Sequence, residues 1–395
     1  MPYLDYAATT PLREEVLDAM LPYLREHFGN ASSIHGPGRR ARVAIEQARR
    51  DVASVLNCEP AEVVFTSGGT EADNAAVLGT LSGAALRQTG RPGLVTSAAE
   101  HEAVRQPAHR LQAEGHPVTI LSPSATGAVS VQAVEAALSD AVGLVSLMRV
   151  NNEVGAIAPI AEIAEVAHGA GALVHTDAVQ AASSMSLDVD ALGVDLLSLS
   201  GHKINGPKGV GVLFIRGGTP FDALVIGGSQ ERGRRGGTEN VASIVGLATA
   251  LMLAAEEREA HTVRMRHHQL ELATALRDAF GEAVRFNTPL EGVATTAAPT
   301  APHILSVSFH PGPAGPLDGE ILLAGLDLAD VQVSAGSACS SGALEPSPVL
   351  QAMGMNRDTA SATVRFSFGR STTSDELAEA VQALVPLVRR MRGSG

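Results

Sequence analysis

The chain has few cysteines and few basic residues, and each shortage excludes a class of protein. Its formal net charge is -13 at pH 7. A nucleic-acid surface needs clustered Lys and Arg, so this acidic balance opposes a direct nucleic-acid ligand. The two cysteines, Cys58 and Cys339, lack the paired spacing of a zinc site or a disulfide framework. We therefore expect no metal site and a reducing compartment.

Long apolar runs are also missing. No segment reaches the ~18 uninterrupted apolar residues of a membrane-spanning helix. The start, Met-Pro-Tyr-Leu-Asp-Tyr, lacks the charged region followed by an apolar region that marks a signal peptide. We expect a cytoplasmic protein with no membrane partner. At 395 residues, the chain fits two domains and has enough apolar residues to bury both cores.

The first half of the chain alternates short apolar runs with longer helical stretches rich in Ala, Glu and Arg. This pattern is typical of βα units that build a mostly parallel sheet, so it predicts an α/β fold. The candidate strands are residues 62–66, 143–148, 172–175, 196–199 and 211–215. In such sheets ligands gather at the carboxyl ends of the strands, and the polar clusters of this sequence follow strands.

The second half predicts a smaller α+β domain. A helical stretch over 241–276 would connect the two domains. Further strand-like runs and an amphipathic helix follow it, at 304–309, 331–334, 364–368 and 374–392. The resulting division assigns 16–257 to a large domain, and 1–15 with 258–395 to a small domain. The small domain would carry Cys339 in a loop at about 334–346.

Lys203 is the most informative residue. It ends the run Asp-Leu-Leu-Ser-Leu-Ser-Gly-His-Lys203, so its amine follows an apolar strand closely. Desolvation favours a neutral, nucleophilic amine, which suits covalent chemistry on the aldehyde of pyridoxal phosphate. The alternative is an ordinary surface lysine in a Gly-rich turn, and Lys208 nearby is a second candidate.

Two further motifs follow predicted strands. Residues 66–74, Thr-Ser-Gly-Gly-Thr-Glu-Ala-Asp-Asn, open a helix whose backbone N–H groups would suit a phosphate, although an ordinary capped turn also fits. Asp177 lies just past a buried strand, where an unpaired charge is costly and a cation is expected. A protonated pyridine nitrogen would serve as that cation. A structural Asp that caps a helix is the alternative.

Three other features could take part in a site. His101 follows another strand and could stack on a flat ring or move protons, or it could be structural. Residues 227–238 form a basic, Gly-rich loop suited to a phosphate or a carboxylate, unless they are merely solvated. Cys339 lies in Ser-Ala-Gly-Ser-Ala-Cys-Ser-Ser-Gly, which cannot bury it, so an exposed thiol nucleophile is indicated. Cys58 has no such setting.

These motifs together resemble the NifS/IscS-type cysteine desulfurases of group I, which belong to the aminotransferase class V family. The resemblance covers nearly the whole chain, from Leu4 to Arg370. Its most specific pieces are Ser-Gly-His-Lys203, His-Thr-Asp-Ala-Val-Gln180, Arg-Gly-Gly-Thr238 and Ser-Ala-Cys339. It implies the fold of type I pyridoxal-phosphate-dependent transferases, with a mostly parallel sheet in the large domain and a smaller α+β domain.

The resemblance also implies how pyridoxal 5'-phosphate is held. Lys203 would carry the cofactor, and His101 would stack on its ring. Asp177 would pair with the ring nitrogen and Gln180 would contact the ring hydroxyl, while Asn152 would lie near the ring. The phosphate would be held by Gly69, Thr70, Ser200, His202 and, from the other subunit of a homodimer, Thr238.

The implied reaction converts L-cysteine to L-alanine. Arg365 and Asn30 would hold the substrate carboxylate, while Lys203 and His101 would move protons. The thiolate of Cys339 would take the sulfur as a persulfide and pass it to an iron–sulfur scaffold protein or a sulfur-carrier protein. A free cysteine is mostly protonated at neutral pH, so the site must favour the thiolate.

Rival interpretations remain open at this point. A selenocysteine lyase or a class V aminotransferase would use the same cofactor residues, although Cys339 opposes a simple aminotransferase. A non-catalytic scaffold that keeps the cofactor only for structure belongs to a different class. The joint presence of Lys203, His101 and Cys339 argues against that scaffold.

Overall fold

The larger of two sheets forms from short apolar strands. The computed structural model describes residues 1–290, 300–335 and 346–393. The strands of this sheet are β1 (Val63–Thr66), β2 (Gly93–Ser97), β3 (Val118–Leu121), β4 (Val142–Ser146), β5 (Leu173–Asp177), β6 (Leu196–Ser200) and β7 (Gly211–Ile215). The five strands predicted from the sequence are β1, β4, β5, β6 and β7, with ends shifted by at most two residues.

The strand order is β1-β7-β6-β5-β4-β2-β3, and only β7 runs against the others. The α/β fold with a mostly parallel sheet is therefore confirmed. Every residue of β1, β2, β4, β6 and β7 is buried, because helices cover both faces of the sheet. The parallel strands end along one edge, so the segments that follow them meet there.

The covering helices show the expected apolar periodicity. In the helix over Gly36–Leu56, residues Ala41, Ile45, Ala48 and Val52 recur every three or four positions and are buried. The helices of this part are α1 (Glu14–Arg25), α2 (Gly36–Leu56), α3 (Gly69–Thr80), α4 (Gly83–Thr89), α5 (Glu102–Ala113), α6 (Val131–Ala137), α7 (Ile160–Gly169) and α8 (Val189–Leu192).

One long helix, α9 (Val241–Phe280), joins the two parts of the chain, as the helical stretch over 241–276 predicted. Leu247 and Leu251 in its first half belong to the core of the large sheet, whereas Leu272 and Leu276 belong to a separate core. The predicted domain boundary at 257/258 falls between these halves, which supports the proposed division. No helix in the described part of the chain is long and apolar enough to cross a membrane.

The second core lies around a small antiparallel sheet of order β10-β9-β8. Its strands are β8 (Val284–Phe286), β9 (Ile304–Phe309) and β10 (Thr363–Ser367). Among the described residues, four helices accompany it: α10 (Gly319–Asp327), α11 (Pro348–Ala352), α12 (Arg357–Ser361) and α13 (Ser374–Arg392). The amphipathic helix predicted over 374–392 is α13.

The strand predicted over 331–334 is wrong. Only isolated bridges form there, from Gln332 to Tyr3 and from Ser334 to Arg365. The two bridges run in opposite senses to two different segments, so no continuous ladder can build up. The apolar alternation of Val331 and Val333 instead reflects packing against the second core.

A buried ion pair fastens the Gly-rich segment 227–238 to the large sheet. Glu231 accepts two hydrogen bonds from Arg49, at 2.7 and 2.9 Å, and one from the backbone N–H of Phe65 at 2.9 Å. The two side chains are only 3% and 2% exposed. Arg49 also donates to the carbonyl of Val63 and lies over the Phe65 ring. Such a pair is satisfied on all sides, so losing one partner leaves a buried charge.

Arg49→Met is expected to lower the free energy of unfolding by about 3–5 kcal/mol, because the Glu231 carboxylate stays buried without its cation. Denaturant unfolding measures this loss. The matched control is Arg110→Met, which removes the exposed pair with Glu114. That change is expected to cost less than about 1 kcal/mol. Equal losses in the two variants would contradict the role of the buried pair.

Candidate active site

The carboxyl edge of the large sheet collects most of the predicted site residues. Helix α3 begins just after β1, and His101 follows β2. Asp177 is the last residue of β5, and Lys203 ends a single 3-10 turn directly after β6. His101 and Lys203 both lower the pKa of Asp177 against the larger effect of burial, so the three groups lie near one another. Residues far apart in sequence thus meet because their strands are parallel.

The amine of Lys203 lies in a half-buried position. It donates hydrogen bonds to the carbonyls of Ala7 and Ala8, the latter at 2.8 Å. Burial and then the positive charge of Arg365 lower the pKa of this amine to about 8, against the opposing effects of Asp177 and Asp5. A fraction of the amine is therefore neutral near physiological pH and can attack an aldehyde.

Asp177 is a buried carboxylate in need of a cation. It is 7% exposed, and it accepts a hydrogen bond from the N–H of Val179 at 2.9 Å. Burial raises its pKa. No salt bridge to Asp177 forms among the described residues. Gln180, from the same segment, donates to the carbonyl of Ala7 at 2.9 Å and so stays beside the Lys203 amine.

The N-terminus of α3 forms an anion cradle. Its N-cap, Gly68, provides no side-chain cap, and the N–H groups of Gly69, Thr70 and Glu71 have no hydrogen-bond partner in the described ranges. A Cβ placed on Gly68 would meet nothing within 4 Å, so the space in front is open. Converging N–H groups and the helix dipole favour a phosphate there. Side chains cap the preceding residues of the turn, since Glu71 accepts the N–H of Ser67 at 2.9 Å.

Ser200 and His202 lie beside this cradle. A Cβ on Gly69 would lie 3.5 Å from the Cβ of Ser200, which is itself buried. The Nδ1 atom of His202 lies 3.2 Å from the hydroxyl of Thr9. Burial and then the charges of Lys203 and another lysine lower the pKa of His202 to about 4, so its ring is neutral. It can offer a hydrogen bond but no charge.

The observed groups fit pyridoxal 5'-phosphate. Open helical N–H groups suit its phosphate, and the buried carboxylate of Asp177 suits a protonated ring nitrogen. The activated amine of Lys203 suits its aldehyde. His101 is exposed at the rim, and its Nδ1 accepts the N–H of Ala103 at 3.1 Å, so it caps α5 as well. In the neutral ring the proton then lies on Nε2.

Arg365 brings the small sheet into the site. It lies on β10 and is 4% exposed. Its guanidinium donates to the carbonyl of Asn152 and to Asp5 Oδ1, both at 2.8 Å. Because its charge lowers the pKa of Lys203, it lies close to the amine. Asn152 is therefore also at the site, held through its backbone.

Three predicted residues are not joined to this cluster by any contact in the described part of the chain. Asn30 is exposed, and its Oδ1 accepts the N–H of Ser32. Thr238 is exposed on its own subunit. Cys339 lies outside the described residues. The roles assigned to these three stay predictions.

The Gly-rich segment 227–238 is less available to an anion than its basic composition suggested. Arg235 pairs with Glu71 at 2.9 Å, and Glu231 is buried against Arg49. Ion pairs within the protein thus already occupy Arg235 and Glu231 of this segment. The sequence feature that could have predicted these ion pairs is the presence of two acidic residues, Glu231 and Glu71, as possible partners for arginines.

Sequence reasoning missed the contribution of the N-terminal segment. The carbonyls of Ala7 and Ala8 accept hydrogen bonds from the Lys203 amine. The Thr10 hydroxyl donates to the carbonyl of His202. Asp5 forms an ion pair with Arg365. The motif that begins at Leu4 indicated that this segment belongs to the family pattern. Hydrogen bonds to backbone carbonyls, however, cannot be predicted from the side chains in the sequence.

The low pKa of Lys203 can be measured because the chain has only two lysines, Lys203 and Lys208. Cofactor-free protein is treated with an aldehyde reagent and borohydride across pH, and each labelled peptide is quantified by mass spectrometry. We expect a midpoint near pH 8 for Lys203. Arg365→Gln should raise that midpoint and Asp177→Asn should lower it, because their charges act in opposite senses. A wild-type midpoint near 10.5 would contradict the account.

Comparison with known proteins places the chain in a family. The model of the aminotransferase class-V family matches residues 2–380. Cysteine desulfurase IscS of Dictyoglomus turgidum is 42% identical over 390 residues, which cover 99% of this chain and 95% of that protein. Cysteine desulfurase IscS of Pseudomonas entomophila is 43% identical over 397 residues, covering 99% and 93%.

Solved structures agree. A NifS-like protein superposes with a TM-score of 0.88 at 33% identity, covering 99% of this chain and all of that one. The structure described as SspA in complex with cysteine has a TM-score of 0.78 at 33% identity, covering 93% and 99%. The chain therefore belongs to the pyridoxal-phosphate-dependent aminotransferase class-V family, among the IscS/NifS-type cysteine desulfurases.

Proposed function

We propose that this protein converts L-cysteine to L-alanine with pyridoxal 5'-phosphate and keeps the sulfur as a persulfide on Cys339. The observation that carries this proposal is the meeting of Lys203, Asp177 and the open N-terminus of α3 at one sheet edge. Relatives named cysteine desulfurase at 42% and 43% identity support the choice of substrate.

When bound, the cofactor supplies an aldehyde for an amino group and a cationic ring that withdraws electrons. Asp177 stabilises the positive ring nitrogen, because its charge is buried and otherwise unpaired. Lys203, whose pKa is about 8, both accepts and donates a proton near neutral pH. His101 presents a donor Nε2–H at the rim, since its Nδ1 is occupied by the N–H of Ala103.

Arg365 is the group that suits the substrate carboxylate. The charge of its guanidinium acts on the Lys203 amine, and a planar cation binds a carboxylate through two parallel hydrogen bonds. Asn152 would lie next to Arg365, and Asn30 would also hold the substrate carboxylate. Binding the carboxylate near Arg365 brings the substrate amino group towards Lys203.

The sulfur step belongs to Cys339. Its thiolate attacks the sulfur of the bound substrate, so an S–S bond forms while the substrate C–S bond breaks. The bonding electron pair stays with the substrate carbon, which gains a proton and leaves as L-alanine. Cys339 then holds a persulfide, whose outer sulfur passes to an acceptor.

The acceptor and the assembly are proposed from the resemblance. An iron–sulfur scaffold protein or a sulfur-carrier protein would take the sulfur in the cytoplasm. A homodimer would place Thr238 of one subunit at the phosphate of the other. The exposure of Thr238 on its own subunit supports this arrangement.

A single turnover tests the proposed reaction. Cofactor-loaded protein and L-cysteine, without reductant, should add one sulfur to the Cys339 peptide and release alanine, and Cys339→Ser should abolish both. The control is Cys58→Ser, because burial raises the pKa of the Cys58 thiol to about 12 and leaves it unreactive. Alanine release that persists in Cys339→Ser would instead indicate a lyase that does not use this thiol.

Mixed dimers test the shared site. Lys203→Ala and Thr238→Ala proteins, each weakly active alone, are dissociated and reassembled together. In a mixed dimer, the Thr238→Ala subunit keeps its lysine and receives Thr238 from its partner, so one of two sites should recover. Failure to recover activity, with dimers confirmed by light scattering, would show that Thr238 serves its own subunit or no site.

A further inference from the structure

A second buried carboxyl group lies near Asp177. Asp73, on α3, is 1% exposed, and its Oδ1 has no hydrogen-bond partner in the part of the chain that the structure describes. That oxygen lies 3.6 Å from Nε2 of His175. His175 and Asp177 are two residues apart on β5, so their side chains share one face of the sheet. Asp73 therefore lies against the same face of β5 that carries Asp177, and the charge of Asp177 acts on it.

His175 is fixed between two hydroxyl groups. Its Nδ1 lies 2.8 Å from the hydroxyl of Ser146 on β4, and its Nε2 lies 3.0 Å from the hydroxyl of Ser198 on β6. All three residues are fully buried. Burial lowers the pKa of His175 to about 3, so the ring is neutral and gives Asp73 no positive charge.

The two carboxyl groups cannot both be charged at low cost. Burial, followed by the negative charge of Asp177, raises the pKa of Asp73 well above its ordinary value, and the nearby Ser198 hydroxyl opposes this only in part. Glu100, a third carboxyl at this edge, also disfavours the charge on Asp73. By contrast, His101 and Lys203 both lower the pKa of Asp177. The proton is thus better placed on Asp73 than on Asp177.

We propose that Asp73 is a positioning residue that holds a proton near Asp177 and thereby keeps Asp177 as the ionised partner of the cofactor's ring nitrogen. This inference rests on the proposed function, since it assumes that Asp177 meets that nitrogen. If Asp73 were ionised instead, repulsion between the two carboxylates would drive a proton onto Asp177. Asp177 would then no longer balance the cationic ring.

Glu100 plays a different part. Both of its oxygens lie near the N–H of Met148, at 2.9 and 3.0 Å. That N–H lowers the pKa of Glu100 against the stronger effect of burial. Any test for a proton on Asp73 must therefore distinguish the signal of a protonated aspartate from that of a protonated Glu100.

Infrared difference spectroscopy on cofactor-loaded protein reports the proton directly. With the carboxyl carbon of aspartate isotopically labelled, the band of a protonated aspartic acid should be present in the wild type at neutral pH. Asp73→Asn should lose it, whereas Asp177→Asn should retain it. No labelled band in the wild type, or a band unchanged in Asp73→Asn, would overturn the proposal.

Cofactor affinity provides the second readout, because the two substitutions differ only in which carboxyl group is neutralised. Asp73→Asn should change the dissociation constant of the cofactor by less than about twofold, whereas Asp177→Asn should raise it by about tenfold or more. A loss in Asp73→Asn as large as in Asp177→Asn would show that Asp73 is ionised. If neither variant weakens binding, the assignment of Asp177 to the ring nitrogen fails, and the infrared band then decides separately whether Asp73 holds the proton.

Discussion

The active site depends on a carboxylate buried at the end of a strand without a cation of its own. Asp177 is 7% exposed and sits where β5 leaves the sheet. Burying an unpaired charge is costly, so the position is tolerable only if a cation arrives or a proton is taken up. The surrounding groups favour the first solution. Lys203 and His101 lower the pKa of Asp177, whereas burial and the charge of Asp177 raise the pKa of Asp73.

The same constraint explains why the amine of Lys203 is activated. Burial is the largest influence on the pKa of the amine, which Arg365 also lowers and Asp177 raises. Arg365 lies on the small sheet and Asp177 on the large sheet, so residues of both sheets affect the pKa of the amine. The N-terminal segment ties them together, because Asp5 binds Arg365 while Ala7 and Ala8 accept from Lys203.

Much of this arrangement could be predicted from the sequence, and the physical reasons are specific. The strands that carry Asp177 and precede Lys203 contain short apolar runs, Leu-Val in β5 and Leu-Leu in β6, which are typical of buried strands in a sheet covered on both faces. Parallel strands then bring their carboxyl ends together, so these residues and His101 were expected at one edge. The long helix α9 was readable because residues 241–276 are rich in the helix formers Ala, Leu, Glu and Arg and contain no proline.

Other features could not be read from the sequence. The pairing of Arg49 with Glu231, and of Asp73 with the His175 network, joins residues about 100 or more positions apart, and no local pattern signals such contacts. The run 331–334 alternates like a strand, yet its backbone partners come from two different segments. The roles of Asn30, Thr238 and Cys339 rest on the resemblance to the cysteine desulfurases and on the experiments that test them.

The central claim is that Asp177 keeps the ring nitrogen of bound pyridoxal 5'-phosphate protonated. Nitrogen-15 NMR of the protein loaded with ring-labelled cofactor tests it most directly, with Asp177→Asn as the comparison. The account predicts a protonated ring nitrogen in the wild type and an unprotonated one in Asp177→Asn. An unprotonated nitrogen in the wild type, or the same signal in both proteins, would contradict it.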